Sequence, residues 1–296
     1  MTDLVVVAGT RVSLALAGGL GLVMIAERRH LKEMTRRTLF LRWRTWAFSA
    51  PLFGAAAMGP VAIAAVFVAL LSLQGVREYA RLAAVPKPYR NVLYATCVAS
   101  AAVAAIAPSI WFALPALSLL VIGAIPVFSG DADGGAEHVV RSSFAFLYVP
   151  HLLGYLILLK DLPGGGRILL ALGMAVAVSD VSAFTFGRLF GKRLLAPAIS
   201  PSKTVEGAVG NLVGAYVGYL LMSFAVPPMA AYATVLLPAL VALAAILGDL
   251  FESAVKRSFK VKDAGSWLPG FGGLLDRIDS LLFVLPVSYG FFRVLG

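Results

Sequence analysis

Long apolar stretches follow one another along almost the entire chain, and this pattern constrains the fold more than any other feature. A bilayer core about 30 Å thick is crossed by a helix of about 20 apolar residues, whose backbone groups are all hydrogen-bonded within the helix. Only 14% of the residues are charged and 60% are hydrophobic, whereas soluble domains have about 25% charged residues. We therefore predict an all-α, polytopic integral membrane protein.

The apolar stretches predict about nine or ten transmembrane helices. The first, roughly residues 4–26, is interpreted as a retained anchor, and residues 46–73 as a tight hairpin of two short helices that breaks at Gly59-Pro60. The later spans are predicted at residues 91–107, 110–128, 144–159, 168–190, 207–226 and 229–250, with a last one that begins near residue 279.

The formal net charge of +10 has a simple explanation in a membrane protein. Most of the lysines and arginines fall in alternate loops, predicted at residues 27–44, 77–90, 129–143, 188–206 and 250–278. Cytoplasmic loops are enriched in such residues, so we predict an external N-terminus in the cell membrane (plasma or inner membrane) and no nucleic-acid partner. The single cysteine, Cys97, excludes a disulfide framework and a cysteine-based metal site.

Two polar features lie between residues 168 and 207. Asp180 stands in an otherwise apolar segment, where a carboxylate is costly and therefore a functional candidate, although it could simply reach the membrane interface. A short segment then supplies hydroxyls, cations and a carboxylate just before the next predicted helix: Ser200, Lys203, Thr204 and Glu206. This pattern suits phosphate oxygens at a helix N-terminus, and it equally suits an ordinary helix-start turn.

The strongest pattern lies in residues 248–280. A polar stripe at helical spacing extends one apolar helix past the membrane surface and consists of Asp249, Glu252, Ser253 and Lys256. Asp276 and Asp279 follow at the start of the last span, three residues apart and thus on one side of that helix. Clustered carboxylates repel one another unless a cation joins them, and oxygen ligands favour a hard ion such as Mg²⁺.

Basic residues accompany these acids, namely Lys256, Arg257, Lys260 and Lys262. Acids for a metal ion beside cations for phosphates are what nucleotidyl transfer requires. A basic loop with ordinary salt bridges is the alternative, but it does not account for two aspartates at helical spacing where the chain enters the membrane.

With these motifs the sequence resembles the phosphatidate cytidylyltransferase (CDP-diacylglycerol synthase) family. The family's C-terminal signature is matched in spacing by Ser253, Lys256, Arg257, Lys262, Asp263, Gly265, Leu268, Pro269, Gly272, Gly273, Asp276, Arg277 and Asp279. Upstream, the residues that match are Asp180, Gly187, Gly191, Lys192, Ser200, Pro201, Lys203, Thr204, Glu206, Gly207, Gly248 and Asp249. The resemblance covers residues 165–296.

The resemblance implies that the phosphate of phosphatidic acid attacks the α-phosphorus of CTP on the cytoplasmic side of the membrane, and that pyrophosphate is released. It implies Mg²⁺, alone or with a second cation, bound by Asp249, Asp276 and Asp279, with Lys256 as a further catalytic residue. The implied substrate-binding residues are Asp180, Ser200, Lys203, Thr204, Glu206, Ser253, Arg257, Lys262, Asp263 and Arg277. A homodimer is a further expectation from the resemblance.

One residue departs from the family pattern, because Phe271 stands where the family has histidine. A CTP-dependent enzyme with another lipid acceptor is therefore kept as an alternative. A lipid alcohol kinase is a further alternative, as is an ion-coupled transporter that uses Asp180 and the C-terminal acids as an ion path. We expect N-terminal helices that act as a scaffold or admit lipid (1–110), middle helices (111–164) and a C-terminal catalytic region (165–296).

Overall fold

The computed structural model describes residues 38–265 and 272–295, together with residues 7, 9–14, 17 and 24. Most of the predicted first anchor and Phe271 lie outside these residues. The helices are α1 (Thr38–Met58), α2 (Val61–Leu82), α3 (Lys87–Ile106), α4 (Pro108–Trp111), α5 (Leu114–Ser129), α6 (Gly135–Phe146), α7 (Leu152–Asp161), α8 (Gly165–Phe190), α9 (Val205–Met222), α10 (Ala231–Ser258) and α11 (Leu275–Leu295). Strands β1 (Leu194–Ala196) and β2 (Ser200–Thr204) form a hairpin between α8 and α9.

Seven helical segments of the described chain are long and apolar enough to cross a membrane. They are α2, α3, the unit of α6 and α7 (Gly135–Asp161), α8, α9, α10 and α11. A π-helical turn, Leu147–His151, connects α6 to α7 within that unit. Two shorter apolar helices, Ala47–Met58 within α1 and the whole of α5, coincide with two more predicted spans. The protein is thus an all-α, multi-pass membrane protein, as predicted.

Three local predictions were wrong. One is the loop predicted at residues 129–143, because α6 already begins at Gly135. The sequence predicts two short helices on either side of Gly59-Pro60, but the break separates helices of 21 and 22 residues. The sequence also predicts a basic loop at residues 77–90, whereas α2 continues to Leu82 and α3 begins at Lys87. The reason is that good helix formers extend the apolar helix to Leu82. The chain then turns at Ala84, and Pro86 precedes the next helix.

Small residues allow α8 and α9 to pack at close range. A Cβ added at Gly214 would lie 2.7 Å from the Cα of Ser179 and 2.7 Å from the Cβ of Ser182. Such contacts are typical of helices in lipid, where association depends on close van der Waals packing. Because Asp180 lies between these two serines along α8, the contact fixes its position relative to the hairpin that leads into α9.

Helices α10 and α11 approach each other equally closely. A Cβ added at Gly248 would lie 2.5 Å from the carbonyl oxygen of Asp279 and 3.2 Å from the Cα of Ser280. Glycine at this position therefore places Asp249, the next residue of α10, beside the first turns of α11. The buried apolar core contains residues from α2, α3, the α6–α7 unit, α8, α10 and α11.

Candidate active site

Carboxylates from three helices converge beside the hairpin. Asp180 comes from α8, Asp249 and Glu252 from α10, and Asp276 and Asp279 from α11, and they lie within electrostatic range of one another. The side chains of Asp180 and Asp249 remain accessible, whereas Glu252, Asp276 and Asp279 are buried. The acids therefore line a cleft that leads from an accessible rim to a buried floor.

Lys256 connects two of the buried acids. Its Nζ lies 2.5 Å from Asp276 Oδ1 and also forms an ion pair with Glu252. The second carboxylate oxygen of Asp276 accepts hydrogen bonds from the backbone N–H groups of Ala264 (3.0 Å) and Gly273 (2.8 Å). Both carboxylate oxygens of Asp276 therefore have polar partners. Through them Asp276 connects Lys256 of α10 to the backbone at Ala264 and at Gly273.

Asp279 has a different environment. Within residues 38–265 and 272–295, its carboxylate accepts one hydrogen bond, from the backbone N–H of Ser280 at 2.7 Å. Asp249, Glu252 and Asp180 contribute further negative charge around it. Buried like charges are unfavourable unless a cation lies between them, so the cleft floor suits a bound cation.

The hairpin brings Lys203 to the acids. Its Nζ lies 2.6 Å from Asp249 Oδ2, so β2 is joined to α10 by an ion pair. Ser200, at the start of β2, is buried with 7% of its surface exposed. Residues 200–204 form strand β2, which pairs antiparallel with β1 so that Leu194 lies opposite Thr204. The sequence did not decide whether this segment is a phosphate-binding loop or a turn that starts a helix.

Thr204 and Glu206 stabilise the junction between hairpin and helix. Thr204 Oγ1 accepts a hydrogen bond from the backbone N–H of Gly207 at 3.0 Å and so caps the N-terminus of α9. Glu206 accepts hydrogen bonds from the N–H groups of Lys192 (3.0 Å) and Arg193 (3.3 Å). Both side chains therefore shape the backbone that presents Lys203.

The other predicted site residues surround the cleft. Arg257 donates to the carbonyl oxygens of Ile199 (3.4 Å) and Val261 (3.0 Å) and so holds the end of α10 against the hairpin. Ser253 is buried on the same helix, with 9% of its surface exposed. Lys262, Asp263 and Arg277 are exposed, as Arg257 is.

The sequence is similar to known proteins. The model of the cytidylyltransferase family matches residues 40–295. The chain belongs to this family. It is 31% identical over 270 residues to the uncharacterized protein YnbB of Escherichia coli, covering 89% of this chain and 90% of that protein.

Two further relatives have names that state an activity. The phosphatidate cytidylyltransferase of Thermotoga maritima is 38% identical over 189 residues, which cover 60% of this chain and 69% of the relative. That of Staphylococcus saprophyticus is 39% identical over 148 residues, covering 49% of this chain and 57% of the relative. The protein is thus a membrane nucleotidyltransferase of the cytidylyltransferase family.

Glu78 is a site residue that sequence reasoning missed. It is 2% exposed, and its carboxylate accepts hydrogen bonds from the backbone N–H groups of Leu274 (2.9 Å) and Leu275 (3.0 Å) and from Gln74 Nε2 (2.8 Å). A carboxylate at a helix N-terminus is favourable, because the unpaired N–H groups and the helix dipole point toward it. Glu78 therefore fixes the start of α11, the helix that carries Asp276. The sequence contains a signal for Glu78, because a lone acid in an apolar helix is a functional candidate. The signal was missed because residues 77–90 were predicted to be a loop.

Replacing Glu78 by alanine is expected to lower the unfolding free energy by about 3 kcal/mol, because two buried N–H groups lose their charged acceptor. Glutamine should have a smaller effect, since it keeps one acceptor oxygen. Thermal and denaturant unfolding in detergent measure the change. Glu137→Ala is the matched control: Glu137 pairs with Arg141 at an exposed position, where we expect a change of about 0.5 kcal/mol or less. Equal stability of the Glu78 and Glu137 variants would contradict the role of Glu78.

Proposed function

We propose that this chain transfers the cytidylyl group of CTP to phosphatidate. A phosphate oxygen of the lipid forms a bond to the α-phosphorus of CTP, the bond from that phosphorus to the β-phosphate oxygen breaks, and CDP-diacylglycerol and pyrophosphate are the products. The observation that carries the proposal is the convergence of acids from α8, α10 and α11 with Lys203 beside them, in a member of the cytidylyltransferase family. The names of the relatives from T. maritima and S. saprophyticus support the choice of acceptor.

A divalent cation fits the chemistry of the cleft. The donors are carboxylate oxygens, which Mg²⁺ prefers, and Asp279 is buried among like charges. In the part of the chain that the structure describes, no three acidic, histidine or cysteine side chains form a ready-made metal cage. Mg²⁺ commonly uses one or two carboxylates together with water and substrate phosphates, so this arrangement suits it.

We assign Asp249 and Asp279 as the metal-binding residues, with Asp180 beside them. Mg²⁺ bound there would neutralise charge on the nucleotide phosphates and make the α-phosphorus more electrophilic. Asp276, which the sequence places in the same set, instead holds Lys256 and the two backbone N–H groups.

The cations around the cleft act on the nucleotide. Lys203 is held at the acids by its ion pair with Asp249, so its ammonium group is already in place for the phosphates of CTP. Arg257 is an exposed cation at the end of α10, on the same side as the hairpin. The lipid phosphate is itself ionised near neutral pH, so its attack needs no general base. Because CTP is water-soluble and basic loops favour the cytoplasm, we place this side of the protein in the cytoplasm of a cell-membrane enzyme.

The test is product formation by purified protein in detergent, with CTP, Mg²⁺ and phosphatidic acid. We expect CDP-diacylglycerol and pyrophosphate in equal amounts, and neither product when the lipid is omitted. Release of CDP together with a phosphorylated lipid alcohol would instead identify a lipid kinase. A folded sample that forms a CDP-lipid only from another lipid phosphate would contradict phosphatidate as the acceptor.

A further inference from the structure

Tyr148 has a buried hydroxyl group without a hydrogen-bond partner. The residue is 4% exposed, and none of the residues that the structure describes lies within hydrogen-bond distance of its hydroxyl oxygen. Buried polar groups in proteins are nearly always paired, and an unpaired one is costly. A hydroxyl retained in this state therefore suggests a partner that is absent when the protein is alone.

Tyr148 lies close to the acids of the candidate active site. Glu252 and Asp279 exert the largest electrostatic effects on it. Its ring is held by Phe144 and Phe251, with ring centroids at 5.5 and 5.3 Å. Tyr148 also lies in the π-helical turn that joins α6 to α7, and such turns occur frequently at functional sites.

The position of Tyr148 limits what can reach it. It lies halfway along the span Gly135–Asp161, about 20 Å from either end at 1.5 Å per residue. The rings of Phe144 and Phe251 lie against it, and Asp279, which we assign to the metal and phosphates, lies nearby. A group that contacts Tyr148 is therefore next to the reacting phosphate in apolar surroundings, which suit the lipid acceptor better than the nucleotide. Glu252, the acid with the largest effect on Tyr148, is not one of the residues assigned to the metal, so an uncharged oxygen acceptor fits beside it better than an anion. In a diacyl lipid, the acyl ester carbonyls have this chemistry.

We propose that Tyr148 donates a hydrogen bond to an acyl ester carbonyl of the lipid acceptor, and so makes the enzyme selective for diacyl over dialkyl-ether lipids. This inference rests on the proposed cytidylyl transfer to a phosphatidate. Among the described residues the hydroxyl has no hydrogen-bond partner, so we expect its removal to leave the protein folded.

The experiment compares two acceptors in mixed micelles: dioleoyl phosphatidate, and the ether-linked analogue with the same chains but no carbonyl groups. We expect the wild-type protein to have a kcat/KM roughly 3- to 10-fold higher for the diacyl lipid, the range that corresponds to one hydrogen bond. Tyr148→Phe loses this preference by lowering kcat/KM for the diacyl lipid alone, and its KM for CTP is unchanged. Tyr155→Phe is the control, because Tyr155 lies two turns further along the same span and contacts Trp111 and Tyr289 rather than the acids. We expect Tyr155→Phe to keep the preference for the diacyl lipid.

Two results would overturn the inference while the proposed function stands. One is equal kcat/KM of the wild-type protein for both lipids. The other is an equal loss on both lipids in Tyr148→Phe, which would indicate that the hydroxyl contacts the phosphate or positions the acids. Failure of the wild-type protein to form a CDP-lipid from either acceptor would overturn the proposed function itself, and this inference with it.

Discussion

Asp279→Asn is expected to lower kcat by about 1,000-fold, because a carboxylate that holds a catalytic metal ion contributes several kcal/mol to transition-state stabilisation. The amide of asparagine has nearly the same shape as the carboxylate but no charge. A lower kcat would therefore result from the missing charge and not from altered packing. Unlike Asp276, Asp279 has no cationic partner among residues 38–265 and 272–295. CDP-lipid formation at several Mg²⁺ concentrations measures the effect.

The same substitution should leave the thermal midpoint in detergent unchanged or raise it, because it removes a buried charge from a group of like charges. This opposite response of activity and stability is what a functional carboxylate predicts. Asp161→Asn is the matched control, since Asp161 is exposed at the end of α7, and it should behave as the wild-type protein does. Near-normal turnover of Asp279→Asn at low Mg²⁺ would exclude this carboxylate from metal binding.

Features set by local spacing were predictable from the sequence. The polar stripe of α10 follows helical periodicity, and α10 does continue to Ser258, so Glu252 and Lys256 meet on one face. The spans were predictable for the same reason, since each depends on a run of neighbouring apolar residues. The start of α11 at Leu275 likewise places Asp276 and Asp279 as their three-residue spacing predicts.

Features that join distant parts of the chain were not predictable from periodicity. Glu78 and Leu274 are 196 residues apart in sequence, and their hydrogen bond depends on how α2 packs against α11. The roles within the acid group also depend on long-range contacts, because Asp276 and Asp279 look alike in sequence. What separates them is the ammonium group of Lys256, which reaches Asp276 from another helix.

Lys256→Met is expected to lower the unfolding free energy by about 3–5 kcal/mol, because it leaves two buried acids without their cation. Those acids are Glu252, 2% exposed, and Asp276, 6% exposed, and both pair with Lys256. Methionine keeps most of the apolar stem, so the loss reflects the missing charge. Unfolding in detergent measures it. The control is Lys262→Met, at an exposed position, where a change within about 0.5 kcal/mol is expected.

A second substitution tests this cause. In the Lys256→Met background, Glu252→Gln neutralises one of the two unpaired acids and should restore part of the lost stability, so the two changes are not additive. The recovery should be incomplete, because Asp276 remains charged and still has to hold the N–H groups of Ala264 and Gly273. If Glu252→Gln restored nothing, the lysine would contribute through packing of its stem rather than through its charge. Partial recovery would establish Lys256 as the internal cation that stabilises Glu252 and Asp276, the two buried acids that we do not assign to the metal ion.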